Sequence, residues 1–224
     1  MSAVKVRLPF INRVEAGRLL AEELASRKIA PPAIVLALPR GGVPLGVAVA
    51  QRLHLPLDVI VVRKIGVPWQ PELAMGAIAG SARVLDEPLI RQLAVSQSEV
   101  ESIVARERAE MNRREDLYRA GQPPLDLTGK TAILVDDGLA TGTTMIAAIR
   151  HARAAGAAKV IAAVPVGSEQ ACRRMREETD ELVCLATPEY FYAVGQWYDE
   201  FDQVTDAEVE NLLQESRRSS PAAA

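Results

Sequence analysis

Short apolar runs alternate along most of the chain with segments whose apolar residues recur every three or four positions. The short runs predict strands that are buried on both faces. We predict five strands, over residues 34–38, 57–62, 132–135, 160–166 and 182–186. The segments with helical spacing predict helices over residues 12–27, 43–53, 86–93, 96–119, 143–155 and 168–177. Strands that alternate with helices indicate right-handed crossovers, and so a doubly wound α/β fold with a mostly parallel sheet flanked by helices.

Two regions depart from this alternation. Trp69, Pro71 and Gly76 favour a loop or a small hairpin over residues 65–85. The helix predicted over residues 96–119 is heavily charged and carries a narrow apolar stripe. We expect a solvated helix that packs along one face, with an oligomer contact as the alternative.

The length of 224 residues fits one domain with additional segments. We predict a single domain over residues 1–215. It would include a hood and flexible-loop region, with a loop and helical insertion over residues 65–125 and a C-terminal segment over residues 187–205. Residues 216–224 predict a disordered tail.

Composition narrows the classes of function. Hydrophobic residues make up 49% of the chain and aromatic residues 4%, so we expect an aliphatic core. The net charge of −3 provides no general basic field for nucleic acid. No apolar run approaches the ~20 residues that span a bilayer, and residues 1–10 lack the apolar centre of a signal peptide. Cys172 and Cys184 lack metal-binding partners at useful spacing, and two cysteines fit a reducing cytoplasm. Together with the charge and the apolar runs, this leads us to expect a cytoplasmic protein that binds neither nucleic acid nor membranes.

Residues 133–144 carry the most specific chemistry of the chain. An apolar run ends in Asp136 and Asp137, a loop of small and hydroxyl residues follows, and a helix begins near Thr143. A helix start offers unpaired N–H groups and a positive dipole end to an anion. Carboxylates can accept hydrogen bonds from ribose hydroxyls or lie near Mg²⁺. The alternative, an ordinary turn with an Asp cap, requires a single acid, so the pattern favours a site for a phosphorylated sugar.

This stretch resembles the signature with which type I phosphoribosyltransferases bind phosphoribosyl pyrophosphate (PRPP). The resemblance implies that Asp136 and Asp137 face the 2- and 3-hydroxyls of the ribose and lie near Mg²⁺. It also implies a loop around the 5-phosphate of PRPP. That loop comprises Gly138, Leu139, Ala140, Thr141, Gly142, Thr143 and Thr144.

Two cationic sites follow earlier strands. Arg40, Gly41 and Gly42 follow the first strand, and Arg63 and Lys64 follow the second. In open α/β sheets, ligands bind at these strand ends. The resemblance implies that both sites hold pyrophosphate, with Arg40 and Lys64 acting in catalysis beside the acid pair. The alternatives are a plain turn and a pair of solvated surface charges.

The resemblance also implies local conformations around the two cationic sites. The bond between Arg40 and Gly41 would be the candidate for the cis peptide that the family often carries. Residues 65–82 would take the place of a mobile loop that closes over the site.

Residues 190–201 hold most of the aromatic side chains of the chain. They resemble the base-binding loop of hypoxanthine-guanine phosphoribosyltransferases. Tyr192 would then stack on the base, the backbone of Val194 would contact the ring edge, and Asp199 would meet an exocyclic amine. The alternative is a segment pinned to the core by aromatic burial. Ala140 departs from the purine-type pattern, which carries a second acid at that position, so a purine-type general base is not implied.

The family resemblance implies transfer of the 5-phosphoribosyl group from PRPP to a nitrogenous acceptor such as a nucleobase, with Mg²⁺ as cofactor. Homodimers are common in the family. The alternative is a regulator that binds PRPP without turnover. A hydrolase on the same sheet is disfavoured because the sequence has neither a P-loop lysine motif nor a Gly-x-Ser-x-Gly elbow.

Overall fold

The computed structural model describes residues 6–219. Its strands, numbered in chain order, are β1 (Ala33–Ala37), β2 (Leu57–Val59), β3 (Val62–Val67), β4 (Gln70–Ala79), β5 (Ala82–Leu85), β6 (Thr131–Val135), β7 (Lys159–Val166) and β8 (Glu181–Ala186). Its α-helices are α1 (Arg13–Ala25), α2 (Gly42–Leu53), α3 (Glu87–Gln92), α4 (Gln97–Tyr118), α5 (Thr143–Ala154), α6 (Glu169–Glu178) and α7 (Asp206–Ser219). A 3₁₀ turn covers Val194–Trp197.

Five parallel strands form the central sheet in the order β2-β1-β6-β7-β8. Each overlaps one of the five segments predicted as strands, although β1, β6, β7 and β8 begin one residue earlier than predicted, and helices flank the sheet on both faces. The doubly wound α/β fold is therefore confirmed. The strand expected over residues 57–62 is shorter, because β2 ends at Val59 and β3 begins at Val62 in a different sheet.

Alternate positions along the strands divide the core into two clusters. On β1, Val35 and Ala37 belong to the cluster that includes α1, α2 and α7. Ile34 and Leu36 belong to the cluster that includes α5 and α6. Because helices cover both faces, the inner positions of these strands are apolar without alternation, as the short apolar runs indicated.

A second, antiparallel sheet of three strands follows the order β3-β4-β5. The region expected as a loop or small hairpin thus forms two hairpins, and the segment expected in place of a mobile loop is mostly strand. The first hairpin is irregular, with register shifts on either side of Gly66. A Cβ at Gly66 would collide with the backbone of Pro71, so the close approach of these strands requires glycine.

Helix α4 confirms the expectation of a charged helix that packs along one face. Its N-terminus carries a capping box, in which the Ser96 hydroxyl accepts from the N–H of Glu99 and the Glu99 carboxylate accepts from the N–H of Ser96. The buried side chains of the helix are Val100, Ile103, Val104, Met111 and Tyr118.

Helix α7 corrects the expected tail. The helix continues to Ser219, and Ser216 is 6% exposed against the core. Disorder is therefore wrong for residues 216–219, because Val209 and Leu213 anchor the helix in the core. Residues 220–224 lie outside the described residues. Between residues 6 and 219, no helix is long and apolar enough to cross a membrane.

Candidate active site

The carboxyl ends of β1 and β6 open into a cleft of about 670 Å³. The loop after β6 forms one wall of this cleft, and the loop after β1 forms another. Strand β3, the first hairpin and helix α4 complete it. This is the edge at which the sequence placed its candidate residues, as expected for an open α/β sheet.

The acid pair lies directly after β6 and lines the cleft. The N–H of Asp137 donates to Asp136 Oδ1 at 2.8 Å. Burial raises the pKa of Asp136 well above its ordinary value, and the neighbouring Asp137 carboxylate raises it further. Burial also raises the pKa of Asp137, against the opposing effect of Arg13. The site therefore disfavours two ionised carboxylates side by side, and the nearby charges of Arg13 and Lys64 offset this only in part.

Arg13 is a site residue that the sequence did not indicate. Its Nε donates to Asp137 Oδ2 at 2.9 Å. Its Nη1 donates to the carbonyl of Asp202 at 2.7 Å, and its guanidinium carbon lies 3.8 Å from the centre of the Phe201 ring. Arg13 therefore joins the start of α1 and the C-terminal segment to the acid pair.

Tyr198 is a second residue that the sequence did not single out. Its buried hydroxyl donates to the backbone carbonyl of Asp137 at 2.6 Å. Its ring packs against Phe10 and Phe201, with centroid separations of 5.5 and 5.0 Å. Tyr198 lies in the aromatic segment 190–201, but the sequence does not indicate which aromatic residue of that segment contacts the acid pair.

The loop between β6 and α5 has the geometry of an anion site. Gly142 has a φ of +78°, which turns the chain into α5. The first hydrogen bond of the helix is donated by Ile146 to the carbonyl of Gly142, so the preceding N–H groups have no helical acceptor. The hydroxyls of Thr141 and Thr143 lie 3.3 Å apart. The members of the predicted phosphate loop that line the cleft are Gly138, Leu139, Ala140, Thr141, Gly142 and Thr144.

Hydrogen bonds to the end of β7 and to the connection between β7 and α6 also hold this loop in position. The N–H of Leu139 donates to the carbonyl of Val166 at 2.9 Å. Ser168 Oγ donates to the carbonyl of Ala140 at 2.8 Å. The loop is therefore held in place before any ligand binds.

The loop after β1 packs on the acid pair. A Cβ at Gly42 would lie 2.5 Å from the carbonyl oxygen of Val135, and a Cβ at Gly41 would collide with the Asp137 carboxylate. Both glycines are thus required by packing, while Arg40 lines the cleft. The cis peptide bond joins Pro39 to Arg40, which corrects the expected position between Arg40 and Gly41.

Arg63 and Lys64 both line the cleft, although they lie within β3 rather than after a strand. Arg63 donates from Nε and Nη2 to Glu107 Oε2, at 3.0 and 2.7 Å. The Lys64 side chain is exposed, and its charge lowers the pKa of Asp136. The structure therefore brings both predicted cations into the same cleft as the acid pair.

The three residues expected to bind the base are separated. Val194 lines the cleft and packs against Gly138. Tyr192 is 83% exposed, and Asp199 is exposed as well; neither lines the cleft. The aromatic contacts within this segment involve Phe191 with Trp197 and Tyr198 with Phe201, which agrees with the alternative of aromatic pinning.

Comparisons with known proteins agree with this site. Residues 11–200 match the phosphoribosyl transferase domain family. Over 210 residues the chain is 46% identical to a Mycobacterium tuberculosis H37Rv protein named "Putative phosphoribosyl transferase Rv0571c". The match covers 93% of this chain and 47% of that protein, so the chain spans about half the length of this relative.

A solved structure shows the same architecture. The protein TT1426 from Thermus thermophilus is 42% identical, with a TM-score of 0.77, over 93% of this chain and 99% of that chain. The match to the domain family covers most of the sequence, including the acid pair and the loops on either side of it. The chain belongs to the phosphoribosyltransferase family.

Proposed function

We propose that the protein transfers the 5-phosphoribosyl group of PRPP to a nitrogenous acceptor and releases pyrophosphate. One observation carries the proposal. The partly buried acid pair shares its cleft with an anion site at the start of α5 and with cations that include Arg40 and Lys64. PRPP has the matching set of groups, with a 5-phosphate, ribose hydroxyls and a pyrophosphate.

In this arrangement Asp136 and Asp137 accept hydrogen bonds from the ribose hydroxyls. The free N–H groups at the start of α5 and the hydroxyls of Thr141 and Thr144 bind the 5-phosphate. The bond between the anomeric carbon and pyrophosphate breaks, and a bond from the acceptor nitrogen to that carbon forms. The acid pair lies near the positive charge that develops on the sugar, which favours the transition state over the bound substrate.

Arg40 and Lys64 stabilise the departing pyrophosphate. Both side chains line the cleft, Arg40 from the loop after β1 and Lys64 from β3. Negative charge grows on the leaving oxygen as the bond breaks, so fixed cations act most strongly at that moment. Loss of about 3 kcal/mol of such stabilisation slows a step roughly a hundredfold.

The acid pair fits Mg²⁺ that arrives with the substrate. Among residues 6–219, no group of three or more His, Cys, Asp or Glu side chains could hold a metal ion. Magnesium characteristically binds through one or two carboxylates, substrate phosphates and water. Asp136, whose pKa burial raises, is the carboxylate that a cation would stabilise most. When bound, Mg²⁺ would neutralise charge on the pyrophosphate.

A nucleobase is the proposed acceptor, and Val194 would contact it beside Gly138. A second function, PRPP sensing without turnover, is favoured by one observation. Ala140 lines the cleft where purine-type enzymes carry an acid, and Asp199 lies away from it. A sensor would retain the whole sugar-phosphate half of the site.

Titration calorimetry with PRPP and Mg²⁺ tests the site. The wild-type protein should bind, and the double variant Asp136→Asn with Asp137→Asn should not. Asp116→Asn, an exposed acid on α4 that does not line the cleft, is the matched control. Binding that survives in the double variant would contradict the assignment.

Pyrophosphate release then separates the two functions. Release with one or more members of a panel of purine and pyrimidine bases would support transfer. PRPP binding without release for any acceptor would favour the sensor.

A further inference from the structure

Helix α4 contributes an entire wall to the cleft. The helical residues that line it are Ile103, Arg106, Glu107 and Arg114. Their spacing of three, four and seven places them on one face of the helix. The charged helix is therefore part of the candidate active site, in addition to packing on β3.

Arg114 differs from the other arginines on this side of the cleft. Arg63 and Arg106 both direct guanidinium nitrogens at Glu107. Arg114 uses Nε alone, which donates to Glu110 Oε1 at 2.7 Å. Its two terminal nitrogens make no hydrogen bond or ion pair with any residue from 6 to 219, and its side chain is 20% exposed. Arg114 thus presents a free pair of donors to the cleft.

Arg114 also lies on the same side as Arg40. The hydroxyl of Tyr118 donates to Asp206 Oδ1 at 2.7 Å, and Arg40 Nη1 lies 3.6 Å from the same oxygen. Tyr118 is one helical turn after Arg114. Burial and the hydrogen bond to Asp206 raise the pKa of Tyr118, and the charges of Arg114 and Arg40 oppose that shift. Both arginines therefore lie near Tyr118, and both line the cleft.

We propose that Arg114 is a further pyrophosphate-binding residue and that Glu110 is its positioning residue. This inference rests on the proposed function. A guanidinium with two free nitrogens can bind a phosphate group in a bidentate manner, which a lysine at the same place cannot do. Nothing in the sequence pattern singles out this residue, because Arg114 belongs to a helix with the composition of a solvated surface.

Glu110 has the contacts of a positioning residue. It accepts from Arg113 at 2.7 and 3.0 Å and from Arg114 at 2.7 Å. These two arginines lower the pKa of Glu110 to about 2, so it is ionised at neutral pH. Because Arg113 supplies two of the three bonds, Glu110 remains paired when the Arg114 side chain is removed.

Arg113 provides a matched control. It is adjacent in sequence, has the same partner, and is 54% exposed without lining the cleft. We compare Arg114→Gln with Arg113→Gln by calorimetry against three ligands, namely PRPP with Mg²⁺, inorganic pyrophosphate with Mg²⁺, and ribose 5-phosphate. Arg114→Gln should weaken PRPP and pyrophosphate binding about 10- to 100-fold, as expected for loss of charge-assisted hydrogen bonds, and leave ribose 5-phosphate binding unchanged. Arg113→Gln should leave all three affinities within about twofold of wild type, as expected for an exposed surface pair.

Two results would overturn the assignment. One is unchanged pyrophosphate affinity in folded Arg114→Gln, and the other is an equal loss for ribose 5-phosphate, which lacks the pyrophosphate. Arg114→Lys is the second variant, to be used if Arg114→Gln does not fold. It keeps the positive charge but loses the forked pair of donors, so its pyrophosphate affinity should lie between those of the wild type and Arg114→Gln. Wild-type affinity in Arg114→Lys would contradict bidentate binding. Failure of the wild-type protein to bind PRPP would refute the proposed function. PRPP binding by the wild type together with unchanged PRPP and pyrophosphate affinity in Arg114→Gln would refute only the role of Arg114.

Discussion

Removal of Arg13 should destabilise the protein more than removal of an ordinary surface arginine. The Arg13 and Asp137 side chains are 12% and 16% exposed, and 2.9 Å separates Nε from Oδ2. Arg13→Met keeps most of the volume of the side chain and removes its charge. Asp137 would then be left beside Asp136 without its ion-pair partner, in an environment that already raises the pKa of both acids.

The expected magnitude follows from the burial of this pair. Removal of one partner of a buried ion pair costs about 3–5 kcal/mol, mostly because the remaining charge is left unpaired. The lost contact with the Phe201 ring adds about 0.5–1 kcal/mol, since that ring is partly exposed. The two losses together come to about 3.5–6 kcal/mol. For a chain of this length each kcal/mol lowers Tm by about 2–4 °C, so Tm should fall by about 7–24 °C.

Urea denaturation and thermal unfolding measure this loss, with Arg18→Met as the control. Arg18 lies on the exposed side of the same helix, and its variant should stay within about 0.5 kcal/mol of wild type. A double-mutant cycle with Asp137→Asn supplies the sharper test. If the unpaired carboxylate causes the loss, Asp137→Asn should restore part of the stability of Arg13→Met. A loss below about 1 kcal/mol for Arg13→Met, or strictly additive effects in the cycle, would refute the reasoning.

Two further predictions concern packing and pH. Gly138→Ala places a Cβ 2.6 Å from Val194 Cγ1, so it should lower the free energy of unfolding by about 1–3 kcal/mol. Val194→Ala should relieve that cost in the double variant. An equal cost of Gly138→Ala in the wild-type protein and in Val194→Ala would contradict this explanation. Burial lowers the pKa of His151, whose Nδ1 has no hydrogen-bond partner among residues 6–219. The unfolded state therefore takes up a proton near pH 6.5 before the folded state does, so stability should fall as pH falls below about 6.5. His151→Leu should remove that dependence in denaturant unfolding at about pH 5 to 7.5, with His54→Asn as the exposed control.

The central sheet was predictable because its signals are local. The run Ile133–Val135 is apolar as a strand covered on both faces must be, and the acid pair marks where it ends. The turn at Gly142 and the helix after it follow from residues within about ten positions of the strand. Hence the signature loop, the strand before it and the helix after it could all be placed from one short stretch.

The rest of the site depends on contacts between distant segments. Arg13 and Asp137 are 124 positions apart, and the sequence around Arg13 reads as an ordinary helix start after Asn12. The second sheet was missed for another reason. Pro71, interpreted as favouring a loop or small hairpin, lies instead in β4, where the first hairpin is irregular and its backbone approaches Gly66 closely.

The aromatic residues near the C-terminus pack where they support the acid pair, and this explains them better than stacking on a base does. The N–H of Phe10 donates to the carbonyl of Trp197, and the N–H of Asp199 donates to the carbonyl of Phe10. These bonds place Tyr198 where its hydroxyl reaches the Asp137 carbonyl.

Two segments with little sequence signal therefore determine where the Asp137 carboxylate points. Arg13 binds its side chain and Tyr198 binds its backbone, and Arg13 is itself tied to the carbonyl of Asp202. Adjacent carboxylates in a partly buried place repel each other, and these contacts hold Asp137 in position against that repulsion. Under the proposed function, the C-terminal segment would contribute to the sugar half of the site by positioning Asp137, and Val194, which lines the cleft, would be left to contact the acceptor.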